Sequence, residues 1–108
     1  MVSIISFKKM CMSLEGTEEL PHFHLTSFRV KSKIYATLDE NLALVRIMLR
    51  PEEQDSYCQF DSAIVYPVPG RWGLRGATCF ELEKVRKETL ESALMLAYAK
   101  LAVIKRKK

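Results

Sequence analysis

Between Thr26 and Leu49 the apolar residues recur every second position, and this stretch constrains the fold more than any other. Phe28 and Val30, then Ile34, Ala36 and Leu38, alternate with Ser27, Arg29, Tyr35, Thr37 and Asp39. A period of two sends successive side chains to opposite faces of a strand, so the segment predicts an antiparallel hairpin with one covered face. If Val30 pairs with Ile34, Phe28 pairs with Ala36 and every apolar residue shares that face. This register needs a three-residue loop, Lys31-Ser32-Lys33; a two-residue loop would set Arg29 beside Ile34 on the core side. Asp39-Glu40-Asn41 then turns the chain into a third strand, Leu42 to Leu49. That strand is apolar on both faces except at Arg46, the pattern of a central strand.

Helical spacing flanks this meander. Ile4, Phe7, Cys11 and Leu14 form one stripe, with Ser3 as N-cap and Gly16 as terminator, predicting a helix over 4–14. Pro51 and the acids after it suit a helix start, so 52–59 is expected to be helical. Residues 64–66 are a brief extended piece and 77–82 the last strand. Leu90, Ala93, Leu94, Ala97, Tyr98, Leu101 and Ile104 make the stripe of a long terminal helix. The order α-βββ-α-β(β)-α predicts a single α+β domain over 1–108. It is a two-layer sandwich, an antiparallel sheet covered on one face by the N- and C-terminal helices.

The net charge is +4, but Lys105, Arg106, Lys107 and Lys108 account for all of it. Ahead of this basic tail the chain is formally neutral, so a case for a polyanionic partner must come from clustering within the domain. Cys11, Cys58 and Cys79 lack the paired spacing of zinc or redox motifs and are expected as free thiols, which suits the cytoplasm. No apolar run approaches the ~20 residues that span a bilayer, and the first residues lack signal-peptide order; no membrane association is expected.

No catalytic constellation emerges: the cysteines have no neighbouring base signature, and the carboxylates fall in dispersed pairs. A non-enzymatic protein without cofactor or metal is expected. His22 and His24 stand two apart and on a strand would point the same way, yet no third ligand supports them. The segment "YPVPGRWGLRGAT", Tyr66 to Thr78, holds three of the four glycines and the only tryptophan. It lacks the lysine and the following helix of a phosphate-binding P-loop, and its glycines miss the dinucleotide fingerprint. Two readings of it stand. Arg71 and Arg75 can meet phosphates while Trp72 stacks, or Trp72 caps the core from inside and the arginines sit in water. A second basic cluster, Arg29, Lys31 and Lys33, surrounds the hairpin tip, with Tyr35 on the outer face.

In order and spacing, "CMSLEGTEELPHF", "SFRVKSKIYATLDE", "LRPEEQ", "YPVPGRWGLRGAT" and the terminal helix resemble the MmcQ/YjbR family over nearly the whole chain. The family commonly has glycine where Ser32 stands and tryptophan where Ala77 stands. The resemblance implies a CyaY-like, secretion chaperone-like fold and a "double wing" DNA-binding role. The candidate DNA contacts are then Arg29, Lys31, Lys33 and Tyr35 on one projection and Arg71, Trp72 and Arg75 on the other. The alternative is a protein-interaction or chaperone-like module that engages a protein partner and no nucleic acid.

Overall fold

The β-meander is present, with one irregularity that rearranges its tip. A computed structural model describes residues 2–59 and 62–103, with Val103 described in its backbone alone. Ten elements follow in order: α1 (Ile4–Met12), β1 (Glu18–His22), β2 (Leu25–Val30), β3 (Lys33–Asp39), β4 (Leu44–Met48), α2 (Pro51–Cys58), β5 (Val65–Pro67), α3 (Arg71–Leu74), β6 (Ala77–Glu81) and α4 (Lys87–Val103). The strands form one antiparallel sheet in the order β1-β2-β3-β4-β6-β5. The α+β sandwich is as expected. Ile104 and the basic tail 105–108 lie outside the described residues.

The loop between β2 and β3 has two residues rather than three. Lys31 (φ 54) and Ser32 (φ 68) both adopt left-handed backbone, the conformation of a tight hairpin turn. Val30 therefore pairs with Lys33 and Arg29 with Ile34, yet Phe28 still pairs with Ala36 because the register shifts between Phe28 and Arg29. Tyr35 is the extra residue of this bulge. Periodicity alone cannot reveal such an insertion, which swaps the faces of the residues beyond it. Ile34, expected in the core, moves to the outer face beside Arg29. Tyr35, expected outside, is fully buried.

The covered face is built in rows. Phe28, Ala36, Ile47 and Thr78 stand side by side across four strands, as do Leu38, Val45, Phe80 and Val65. Onto these rows α1 brings Phe7 and Cys11, and α4 brings Leu90, Ala93, Leu94 and Ala97. Phe7 meets Phe28 edge-on at 5.5 Å between ring centroids. Ser3 caps α1 by accepting the Ser6 N–H at 3.0 Å, and the Glu53 carboxylate caps α2 by accepting the Arg50 N–H at 2.8 Å.

β1 escaped the sequence reading. It is an edge strand, exposed along most of its length, so no apolar alternation marks it, and Pro21 is tolerated there. The third strand of the meander begins at Leu44 rather than Leu42. Asp39 explains the delay: its carboxylate accepts the N–H groups of Asn41 and Leu42, extending the turn, and Leu42 is left exposed.

Candidate functional site

Among the described residues no long helix crosses the second face of the sheet; only the four-residue α3 stands beside it. One row traverses all six strands: Leu20, Ser27, Thr37, Arg46, Cys79 and Tyr66. Arg46 is thus the central cation of this face, and its Nε is buried without a hydrogen-bond partner. The guanidinium lies beside the Cys79 thiol, whose pKa is raised by burial and partly restored by that positive charge. Tyr66 closes the row by donating its hydroxyl to the Glu81 carboxylate, which holds the phenol up to about 12.

Over this face runs a cleft of about 620 Å³. Its floor crosses the sheet diagonally, from Leu25 on β2 through Ile34 and Thr37 on β3 and Arg46 and Met48 on β4 to Ala77 on β6. One wall is the β1–β2 turn, with His22 and Phe23; the other is the segment of Val68, Trp72 on α3, and Arg75. Among these lining residues are two arginines and no carboxylate.

Each wall holds an aromatic side chain out toward solvent. Phe23 is 90% exposed and sits at φ 61, left-handed backbone that bulky residues seldom adopt. Its ring meets His22 at 4.8 Å between centroids. Trp72 is 63% exposed, which overturns the inward plug as its role, and the Arg75 guanidinium lies 5.8 Å from its ring centroid. The loop beneath Trp72 is fixed by backbone. A Cβ at Gly73 would stand 1.8 Å from the Val68 carbonyl oxygen, and one at Gly76 (φ 113) 1.9 Å from that of Leu49. The Gln54 amide donates to the Gly73 and Ala77 carbonyls at 2.9 and 3.0 Å, tying α2 to the same loop.

The expected contact residues are therefore divided. Trp72 and Arg75 line the cleft. Arg71 is exposed on α3. Arg29 stands on the same face outside the cleft, its Nε donating to Ser27 Oγ at 3.0 Å. Lys31 turns to the helical side, where its Nζ donates to the Ala102 carbonyl at 2.9 Å, and Lys33 is exposed at the same tip. Tyr35 is withdrawn altogether. Its hydroxyl pairs with Thr17 Oγ1 at 2.9 Å and donates to the Cys11 carbonyl at 3.4 Å, so it is a core residue and no stacking platform. Arg46 and Phe23 escaped the sequence reading. Arg46 carried one signal, as the lone polar residue in an apolar strand; Phe23 carried none, because its exposure is set by the turn.

The two histidines diverge rather than align. His22 faces the cleft, whereas His24 Nε2 lies 3.8 Å from an Asp39 carboxylate oxygen. Among the described residues no three His, Cys, Asp or Glu side chains assemble into a metal-holding group. All three cysteines are free, and burial raises each thiol, Cys11 to about 12, so none is a ready thiolate near neutral pH. No described helix is long and apolar enough to cross a membrane.

No family model matches the sequence, and no curated protein does. Among solved structures, the chain resembles Deinococcus radiodurans protein DR2400, a domain of the DUF419 type. The TM-score is 0.77 at 20% identity, covering 100% of this chain and 83% of that one. At that identity the likeness establishes the fold, and it is compatible with the MmcQ/YjbR resemblance.

Proposed function

We propose that the chain is an MmcQ/YjbR-type nucleic-acid-binding domain of the cytoplasm, non-enzymatic and with little sequence readout. One observation carries this reading. In a domain that is neutral ahead of its tail, the face away from α1 and α4 gathers Arg46 and Arg75 with Trp72 in one cleft whose lining holds no carboxylate. Guanidinium groups bind phosphate through paired N–H donors, and an exposed indole offers a face to a base. The projection that works with the Arg/Trp loop is then the β1–β2 turn rather than the Lys31–Ser32 tip, whose Lys31 is engaged with α4.

Anisotropy of a labelled DNA oligonucleotide, measured as salt rises, tests the reading. Contacts to about three phosphates predict an affinity falling with a log–log slope of about −2 to −3. Arg75→Gln is expected to flatten that slope by about one. No binding at ~100 μM protein in low salt, weaker than ordinary non-specific affinity, would overturn the proposal. So would a slope that Arg29→Gln and Arg75→Gln leave unchanged, since the basic tail alone would then be responsible.

The protein-interaction alternative rests on a different place. Met10, Leu14, Leu94 and Met95 line a groove of about 250 Å³ between α1 and α4, and Met12 and Leu96 are exposed nearby. A concentration-dependent dimer in light scattering would favour it.

A further inference from the structure

We infer that the cleft takes an unpaired nucleobase, so that the preferred ligand is a single strand rather than a duplex; this rests on the nucleic-acid reading above and deepens it. The floor is the first reason. Leu25, Ile34, Met48 and Ala77 give it a mainly apolar surface interrupted by Thr37 and Arg46. A duplex presents its phosphates outward, and pressing them onto such a floor would strip their hydration with only one cation in return. An unpaired base has two apolar faces and a polar edge, which is the same distribution.

The walls are the second reason. Phe23 is held outward in left-handed backbone and is more exposed than any other large apolar side chain described, its ring meeting only the edge of the neighbouring His22 among the described aromatic rings. Trp72 faces it from the opposite wall. Two exposed rings flanking an apolar trough are the arrangement on which successive bases of a single strand stack, with little regard for sequence. The volume of about 620 Å³ falls in the range of sites that enclose small organic groups.

Arg46 is the third. Its guanidinium lines the floor at the centre of the face, the one cation among the described residues there. A base edge supplies carbonyl and ring-nitrogen acceptors at the height of a floor residue. Arg75, now over the Trp72 ring, is placed for the phosphate that follows the inserted base.

Trp72 is the only tryptophan, so its fluorescence reports on the cleft directly. The full chain would be titrated with oligo(dT) of about twelve nucleotides, within single-strand site sizes. The same oligonucleotide annealed to oligo(dA), and an abasic strand of equal length, would be titrated in parallel. The expected result is quenching of Trp72 by oligo(dT), with the abasic strand bound about fivefold more weakly or worse, the loss of one stacked base. Phe23→Asn keeps a residue that tolerates the left-handed turn. It is expected to weaken oligo(dT) by a similar factor while leaving the abasic affinity unchanged. Equal binding of all three ligands without a change at Trp72 would overturn the inserted base and leave the nucleic-acid reading standing. Binding of none would overturn both.

Discussion

The two faces of the sheet are made from the same strands and have opposite chemistry. On the covered face, neighbours across the sheet are Phe28, Ala36 and Ile47, or Leu38, Val45 and Phe80, all fully buried under α1 and α4. The other face carries Ser27, Thr37, Arg46 and Cys79 in the corresponding row, with an open cleft above them. Burying the first set stabilises the fold at about 25 cal/mol per Å² of apolar surface. The second set includes a cation, Arg46, whose Nε has no hydrogen-bond partner among the described residues. The core and the proposed recognition surface are thus separated by the thickness of one sheet, and substitutions should separate in the same way.

The sharpest break is expected at Phe28→Ala. It empties a fully buried site against Phe7 and should cost about 3–5 kcal/mol in chemical unfolding, with residual binding per folded molecule retained. Alkaline pH probes the same face through Cys11. Burial raises its folded pKa to about 12 against an ordinary 9, so above pH 9 the unfolded chain loses a proton that the folded chain keeps. The stabilisation is complete below pH 9 and is lost as pH rises through 12, at up to about 1.4 kcal/mol per pH unit. Unfolding curves of Cys11→Ser should show a shallower fall over that window; parallel curves would contradict it. Tyr35→Phe removes the hydroxyl shared with Thr17 and should cost about 1–2 kcal/mol without altering oligonucleotide affinity, since the ring lies on the covered side.

Ile34→Ala reverses that pattern. As a half-buried floor residue it should cost about 1 kcal/mol of stability and yet weaken binding, whereas a core position would cost 2–5. The smallest effect is expected at Ser32→Gly. Relief of left-handed strain at φ 68 should add about 0.5–1 kcal/mol, visible as a higher Tm, with binding unchanged because Ser32 does not line the cleft.

Tyr35 and Ile34 also mark where the sequence ceased to be informative. The alternation from Phe28 to Leu38 was legible because burial on one face imposes it, and the helical stripes were legible for the same reason. Exchanging Tyr35 and Ile34 between faces took one bulged residue, which changes neither composition nor the overall pattern. The open face was harder still. Among the described residues no long helix covers it, so its members obey no hydropathy rule, and His22 and Phe23 at the β1–β2 turn are brought to Arg46 on β4 only by the tertiary fold. Gly73 and Gly76 were recognisable as landmarks, but the outward swing of Trp72 depends on the carbonyls of Val68 and Leu49 beneath them.

Those two glycines have a consequence for how such a domain can diversify. They clamp the backbone of the 70–76 loop against neighbouring carbonyls, while Arg71, Trp72, Leu74 and Arg75 all project into solvent. The loop is therefore a rigid socket with four replaceable teeth. None of the four belongs to a strand pairing, so on the proposed reading ligand preference could change along one short segment while the sheet beneath stays the same.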